Sequence, residues 1–233
     1  MTKLFFSEYE EADQPPITRP LAIFGAGGLG REVLMLIQQI NEYEPTWHIT
    51  GFYDDVRPEA DSIHGVPYLG TAADLNAVTE PFHVTVAVGN SRSRANVVDK
   101  LTSPQLSFAT LIHPAVACAP YQQVELGVGC IISQGCILTC DIVLGKHVLL
   151  NLGCTIGHDA VLGDFCSLMP HANIGGAAHL ETGVYLGTNA TVIDRVRVGA
   201  HAIVGAGAVA VRDLPPSCTA VGVPATVIKH HAS

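Results

Sequence analysis

A six-residue period governs the C-terminal half of the chain. From Leu126 every sixth residue is aliphatic: Leu126, Ile132, Leu138, Leu144, Leu150, Ile156, Leu162, Leu168, Ile174, Leu180, Leu186, Val192, Val198, Val204, then Ala210. No insertion breaks the run. Two residues before each stands a small or β-branched residue, from Val124 and Cys130 through Ala202 and Ala208. Gly follows the aliphatic position at Gly127, Gly145, Gly157, Gly163, Gly175, Gly187, Gly199 and Gly205. A helix does not fit this period. A short strand does, because residues i and i−2 then share one face. Gly at the next position supplies a backbone that turns a tight corner. Three such sides close a triangular coil of about 18 residues, and coils stack as parallel strands about 4.8 Å apart. The repeat gives about five coils, and the segment from His113 is long enough to begin a sixth. Tyr121 to Gln123 reads as a polar lead-in to the first regular coil.

The cysteines fit the same register. Five of the seven (Cys118, Cys130, Cys136, Cys154 and Cys166) fall in the inward small class, and there is no C-x-x-C pair. They read as buried small hydrophobes, not as zinc ligands or a disulfide framework.

The N-terminal half has a different grammar. Leu21 to Phe24 reads as a buried strand, followed by Gly25-Ala26-Gly27-Gly28-Leu29-Gly30 and a helical pattern from Arg31 to Ile40. Strand, glycine turn and helix make a phosphate cradle, where bare N–H groups and the helix dipole face an anion. Ile49 to Tyr53 is a second strand ending at Asp54-Asp55, an acidic pair placed to hydrogen-bond a ribose or a base edge. Phe82 to Val88 is a third strand, running through Gly89-Asn90 into a helix over Ser91–Leu101. About four parallel strands with helices fit here, which is half of a doubly wound domain. That leaves room for one nucleotide and argues against a nicotinamide dehydrogenase, the competing reading of this half. The chain therefore divides into an N-terminal extension (1–18), a Rossmann-like domain (19–108) and an all-β solenoid with a C-terminal tail (109–233).

Composition narrows the function. The 233 residues carry 21 acidic against 12 basic side chains, a formal charge of −9, which argues against nucleic-acid binding. Apolar residues make up 48% of the chain, enough for a core, yet no stretch reaches the roughly 18 apolar residues of a membrane span. The acidic start lacks the basic and apolar regions of a signal peptide, so a cytoplasmic location is expected.

Chemistry on a solenoid must use outward residues. His158 follows Gly157 and should leave its corner facing outward, next to Asp159. A histidine with an adjacent carboxylate suits general-base work, since the carboxylate fixes the tautomer and stabilises imidazolium. One coil further on lies Gly176, whose missing side chain leaves space for a substrate and whose N–H could serve an oxyanion. One coil earlier lies Cys140. His147, His171 and His201 share one register position at spacings of 24 and 30 residues, which are not multiples of 18, so they are not read as one column.

The Gly25–Gly30 turn, Asp54-Asp55, Gly89-Asn90, the register from Leu126, Asn151 with Ile156-Gly157-His158-Asp159, and Val221-Gly222-Val223-Pro224-Ala225 occur in this order. Over about residues 20 to 228 the chain resembles the bacterial hexapeptide-repeat sugar acyltransferases. These comprise the sialic-acid O-acetyltransferase type and the UDP-4-amino-sugar N-acetyltransferases of bacillosamine synthesis. The resemblance implies a left-handed β-helix, acetyl-CoA as co-substrate, no metal, and a homotrimer with active sites between subunits. It implies that the N-terminal domain holds a UDP-sugar, with Asp54 and Asp55 reading uracil and ribose and Gly25, Gly27 and Gly28 at the phosphates. It makes His158 the general base toward a sugar 4-amine, with Asp159 orienting it and Asn151 helping to hold the sugar. Gly176 N–H would face the thioester oxygen, and Thr188 and Ala206 would line the coenzyme groove. Many relatives carry a second histidine nine residues after the base; here that place is Ser167, so that histidine's coenzyme contact is either lost or replaced by a hydroxyl. O-acetylation of a sialic acid or related glycan precursor is the alternative, and a non-catalytic nucleotide-sugar-binding trimer a further one.

Overall fold

The computed structural model describes residues 18–231. The expected N-terminal extension lies outside them, apart from Thr18. The first unit is a six-stranded sheet. Its elements are β1 (Arg19–Phe24), α1 (Gly28–Tyr43), β2 (Trp47–Tyr53), β3 (Ser62–Ile63), β4 (Val66–Gly70), α2 (Ala72–Asn76), β5 (Phe82–Val86), α3 (Ser91–Lys100) and β6 (Leu106–Phe108). The strand order is β3-β4-β2-β1-β5-β6, parallel except for the β3–β4 hairpin. The order reverses beside β1, so the turns after β1 and β5 open a crevice at the carboxyl ends, where ligands of such sheets bind. The hairpin, α2 and β6 have no counterpart in the sequence reading, because their runs are too short for a period to show.

Two residues after β6, Leu111–Ile112 begins a left-handed parallel β-helix. Successive strands pair at a spacing of 18, as in Ile137↔Thr155↔Asn173↔Thr191↔Val209. Three sheets form the sides, and an antiparallel strand, Thr226–His230, closes the last. The two inward classes fill the prism: Leu150, Cys154, Leu168, Ala172, Leu186 and Ala190 are fully buried. Cys130, Cys136, Cys154 and Cys166 are buried as expected, but Cys118 is exposed. It precedes the 3₁₀ turn Pro120–Gln122, which leads into the first regular coil. In that turn Tyr121 is exposed and Gln122 is buried, its amide bonded to Leu138 O and Thr139 O.

The corner glycines work differently from expectation. The left-handed residue of each corner stands three positions after the aliphatic one: Gly129, Gly135, Gly153, Gly183 and Gly207, or an L-residue such as His147, Asp159 or Asn189. The glycines immediately after the aliphatic residue have no positive φ. They are needed because coils meet there: a Cβ would lie 2.5 Å from Lys146 N at Gly127, 2.7 Å from Gly176 N at Gly157 and 2.5 Å from Ala206 N at Gly187.

The Rossmann-like unit packs on one side of the prism. Outward residues of that side, Ile131 and Leu149, join Leu21, Ile23, Leu34 and Ile37 in one apolar cluster. His147 is caught in the same seam. It stacks on Phe165 (5.1 Å between ring centres, 7° apart) and meets Phe108 edge-on at 4.7 Å. His147 and His201 also lie three coils apart on one corner, 54 residues, so they do share a column; only His147 is covered.

Burial, with the Arg94 charge adding to it, pushes the His147 imidazole down to about 4. Between that value and the ordinary 6.5 the native state binds fewer protons than the unfolded chain. The stability is present above the unfolded value and is lost as pH falls through this window, on the order of 3 kcal/mol in all. Chemical denaturation at steps from pH 7 to pH 4 should show this decline, and His147→Phe, which keeps the stacked ring without the titration, should flatten it.

Candidate active site

The corner after Thr155–Ile156 holds the His158–Asp159 pair. Gly157 N donates to Ile174 O, Asp159 N to Cys140 O, and Ala177 N to His158 O, so the turn is stitched to the coils on both sides. Asp159 takes the left-handed conformation (φ 58°) that an aspartate tolerates better than most residues. This geometry turns both side chains outward; they are 63% and 61% exposed. His158 Nδ1 stands 2.7 Å from Asp159 Oδ2. A carboxylate accepts, so Nδ1 carries the hydrogen and Nε2 keeps a lone pair. An exposed pair of this kind adds little to stability. Its effect is to orient the imidazole.

His158 lies over Gly176. A Cβ at Gly176 would stand 2.6 Å from Nε2, so only glycine leaves the ring where it is. The Gly176 N–H, expected to be free, donates to Asp194 Oδ1 at 2.8 Å. The same device recurs where Lys146 N donates to Asp164 Oδ1, again one coil on, so it belongs to the stacking of the solenoid. In this state the amide is not a vacant oxyanion donor; a thioester oxygen would have to share or displace the carboxylate. Thr188 and Ala206 are both exposed, one coil apart, on a different corner of the prism.

Ser167 corrects the reading of the coenzyme groove. It is fully buried, and its hydroxyl lies 2.9 Å from Ser91 Oγ and accepts from Arg94 Nη2 at 2.8 Å. The reason is its place in the outward column of Ile131 and Leu149, which the N-terminal unit covers. It offers no hydroxyl to acetyl-CoA. Asn151, next in the chain to the covered strand Leu149–Leu150, is 6% exposed and its Oδ1 accepts from Leu152 N.

In the N-terminal unit the glycine turn divides its labour. Gly25 (φ 115°) sits where a Cβ would strike Ala87 O at 2.5 Å, and Gly30 where one would strike Gly25 O. Gly27 faces open space, and a Cβ at Gly28 would meet only the Arg31 guanidinium, at 4.0 Å. No acidic residue occupies the first turn of α1, so its dipole is left uncompensated toward that space. Asp54 is partly committed: its two oxygens accept from Ala26 N (2.8 Å) and Val56 N (2.9 Å), so it also pins the glycine turn. Asp55 accepts from Ala72 N and pairs with Lys100 at 2.8 Å, and the lysine bond, followed by the amide, holds its carboxyl below the ordinary value. Each carboxylate has lone pairs left, but neither is free as the sequence suggested. Asn90 Oδ1 caps α3 through Ser93 N, and Gly89 precedes it at the mouth of the crevice. A cavity of about 310 Å³ opens between Asn90, Ser91 and Arg92 and the solenoid residues Gly183, Tyr185 and His201. Spacing did not point to the Arg94 cluster, whose carbonyl partners carry no sequence signal. Among the described residues no cluster of His, Cys, Asp and Glu is arranged to hold a metal, and no helix is long and apolar enough to cross a membrane.

Residues 20–101 match the family described as the PglD N-terminal domain. The whole fold is similar to solved sugar N-acetyltransferases. Perosamine N-acetyltransferase from Caulobacter crescentus, a histidine-to-asparagine variant with CoA and GDP-perosamine, is 30% identical; the match covers 90% of this chain and 97% of that one, with a TM-score of 0.81. The acetyltransferase domain of PglB from Neisseria gonorrhoeae, in complex with acetyl coenzyme A, is 31% identical over 91% of this chain and 100% of its own, with a TM-score of 0.82. The chain belongs to the bacillosamine-type hexapeptide-repeat acetyltransferases. WeeI from Acinetobacter baumannii is a further likeness, at 28% identity and a TM-score of 0.79. Among curated relatives, serine acetyltransferase of Buchnera aphidicola is 30% identical over 124 residues. The chain spans about a fifth to two fifths of the length of such curated relatives.

If His158 rests on Gly176 as described, Gly176→Ala should displace the ring and break its bond to Asp159. The ¹⁵N resonances of the His158 imidazole report the tautomer and should change, with the other solenoid signals in place. Unchanged resonances would show that the contact does not hold the ring.

Proposed function

We propose that this protein transfers the acetyl group of acetyl-CoA to the 4-amino group of a nucleotide-linked 4-amino-4,6-dideoxy sugar, with UDP as the nucleotide. The observation that carries this is the His158–Asp159 pair. It is an exposed imidazole with its Nδ1 tied to a carboxylate and its Nε2 free above a glycine, on a fold whose relatives bind CoA and an amino-sugar nucleotide. The neutral sugar amine attacks the thioester carbon through its lone pair, and Nε2 takes a proton from that nitrogen as the C–N bond forms. The tetrahedral intermediate collapses with loss of the coenzyme A thiolate, which is protonated on leaving. Asp159 holds the tautomer. Gly27, Gly28 and the α1 N-terminus receive the diphosphate, and Gly89 and Asn90 line the approach. Thr188 and Ala206 support the coenzyme along their corner, and Asn151 sits near the sugar. The choice of UDP rests on the family resemblance; the GDP-linked sugar in the Caulobacter structures is the competing acceptor. The exposure of the base in the single chain supports a homotrimer, in which a neighbouring prism would complete the site.

Coenzyme A release should be measured with UDP-2-acetamido-4-amino-2,4,6-trideoxyglucose, with GDP-perosamine, and with UDP-N-acetylglucosamine, which lacks the amine. Release with an amine alone is expected, fastest with the UDP sugar. A faster GDP sugar would overturn the choice of nucleotide, and release with neither amine would overturn the acceptor class. His158→Ala should keep the fold by circular dichroism and lose about 10²- to 10⁴-fold in kcat, the usual worth of a general base. Asp159→Asn, with the tautomer no longer fixed, should lose about tenfold or more.

A further inference from the structure

Arg94, in the second turn of α3, is 1% exposed and lies between the two halves of the chain. Its Nε donates to His147 O (3.0 Å). Nη1 donates to Val88 O (2.7 Å) and Gly89 O (3.3 Å). Nη2 reaches Phe165 O (2.9 Å), Cys166 O (3.0 Å) and Ser167 Oγ (2.8 Å). None of the three ion pairs among the described residues involves it. Burial lowers the guanidinium to about 10, so it stays cationic at neutral pH. A buried cation without a carboxylate is expensive unless every donor is met, and here carbonyl oxygens and the Ser167 hydroxyl meet them.

Adhesion alone does not require this arrangement, since the apolar cluster around Leu21, Ile131 and Leu149 already joins the halves. What the guanidinium adds is direction. Its rigid planar fork fixes three points at once: the Val88–Gly89 turn, the corner at His147, and the corner at Phe165–Ser167 one coil on. The turn it holds leads into Asn90 and Ser91, which wall the cavity facing Tyr185 and His201. Ser91 Oγ meets Ser167 Oγ beside it, so a second polar contact locks the same turn.

We propose that Arg94 is a positioning residue for the acceptor. It sets the Gly89–Asn90 turn, and with it the nucleotide-sugar crevice, at a fixed distance from the acetyl-transfer corner of the solenoid. The proposal rests on the acetyl-transfer reading above. Substitution should therefore harm an acceptor that is delivered by its nucleotide and spare one that reaches His158 unaided.

Arg94→Lys, which keeps the charge but loses the fork, and Arg94→Met are to be compared with the wild type in the full chain. The acceptors are the UDP-linked 4-amino sugar and the methyl glycoside of the same amino sugar. For the nucleotide-linked acceptor kcat/KM should fall at least about tenfold in Arg94→Lys, mainly through KM, and further in Arg94→Met. The methyl glycoside and the affinity for coenzyme A should stay within about twofold. Deuterium uptake should rise in peptides covering 84–94 and 161–169 and not in 185–210. Equal losses with both acceptors, or a parallel loss of coenzyme affinity and melting temperature in Arg94→Lys, would make Arg94 a folding residue only and overturn the proposal. So would an unchanged KM. A wild type inactive toward both acceptors would instead overturn the functional reading. Exchange then decides the clamp: unchanged uptake at 84–94 and 161–169 rejects it, and a rise confined there supports it.

Discussion

The structure depends on coils meeting at van der Waals distance every 18 residues. Parallel strands of two or three residues gain little individually, and only stacking gives their backbone groups partners and their side chains a continuous core. That stacking tolerates no Cβ at Gly127, Gly157 or Gly187, where the next coil's backbone stands within 2.7 Å of the position it would take. The aliphatic column inside and these glycines at the corners are two consequences of one spacing.

The candidate base is built from the same constraint. His158 projects outward because its corner is stitched above and below by backbone bonds, and it rests on a glycine because residue 176 is its neighbour one coil on. Asp194 reaches the Gly176 amide as Asp164 reaches Lys146. A site on a solenoid is thus repetitive scaffold with one corner decorated differently: other corners carry charges too, such as Lys146, Asp164 and Asp194, but only this one sets a histidine directly beside a carboxylate.

The N-terminal unit supplies what a solenoid lacks, an open sheet with a crevice at its carboxyl edge. Its glycine turn separates packing from access. Gly25 and Gly30 close the strand and helix on each other, and Gly27 and Gly28 stay open. Asp54 belongs to both tasks, because it bonds the turn through Ala26 N while standing at the crevice. The seam between units combines an apolar cluster, the stacked His147 and the Arg94 fork.

Local spacing alone determined a great deal. The hexad register from Leu126 specified an 18-residue prism, its inward residues and the outward direction of His158, because each depends only on separation along the chain. The strand-turn-helix at Gly25 was legible for the same reason. Other features were decided by which face the N-terminal unit covers. Ser167 and Thr155 both stand on outward columns, yet Ser167 is buried and Thr155 is not. Cys118 shares the inward class and is exposed, since the regular coil starts after it. Asp54 and Asp55 look like free readers of a ribose until their amide and lysine partners, far away in sequence, come into place. In the sequence Arg94 is legible only as one of two arginines, with Arg92, in the first turns of the helix after Gly89-Asn90. All but one of its partners, the Ser167 hydroxyl, are main-chain oxygens, which every residue has, so only the docking of the two units could select them.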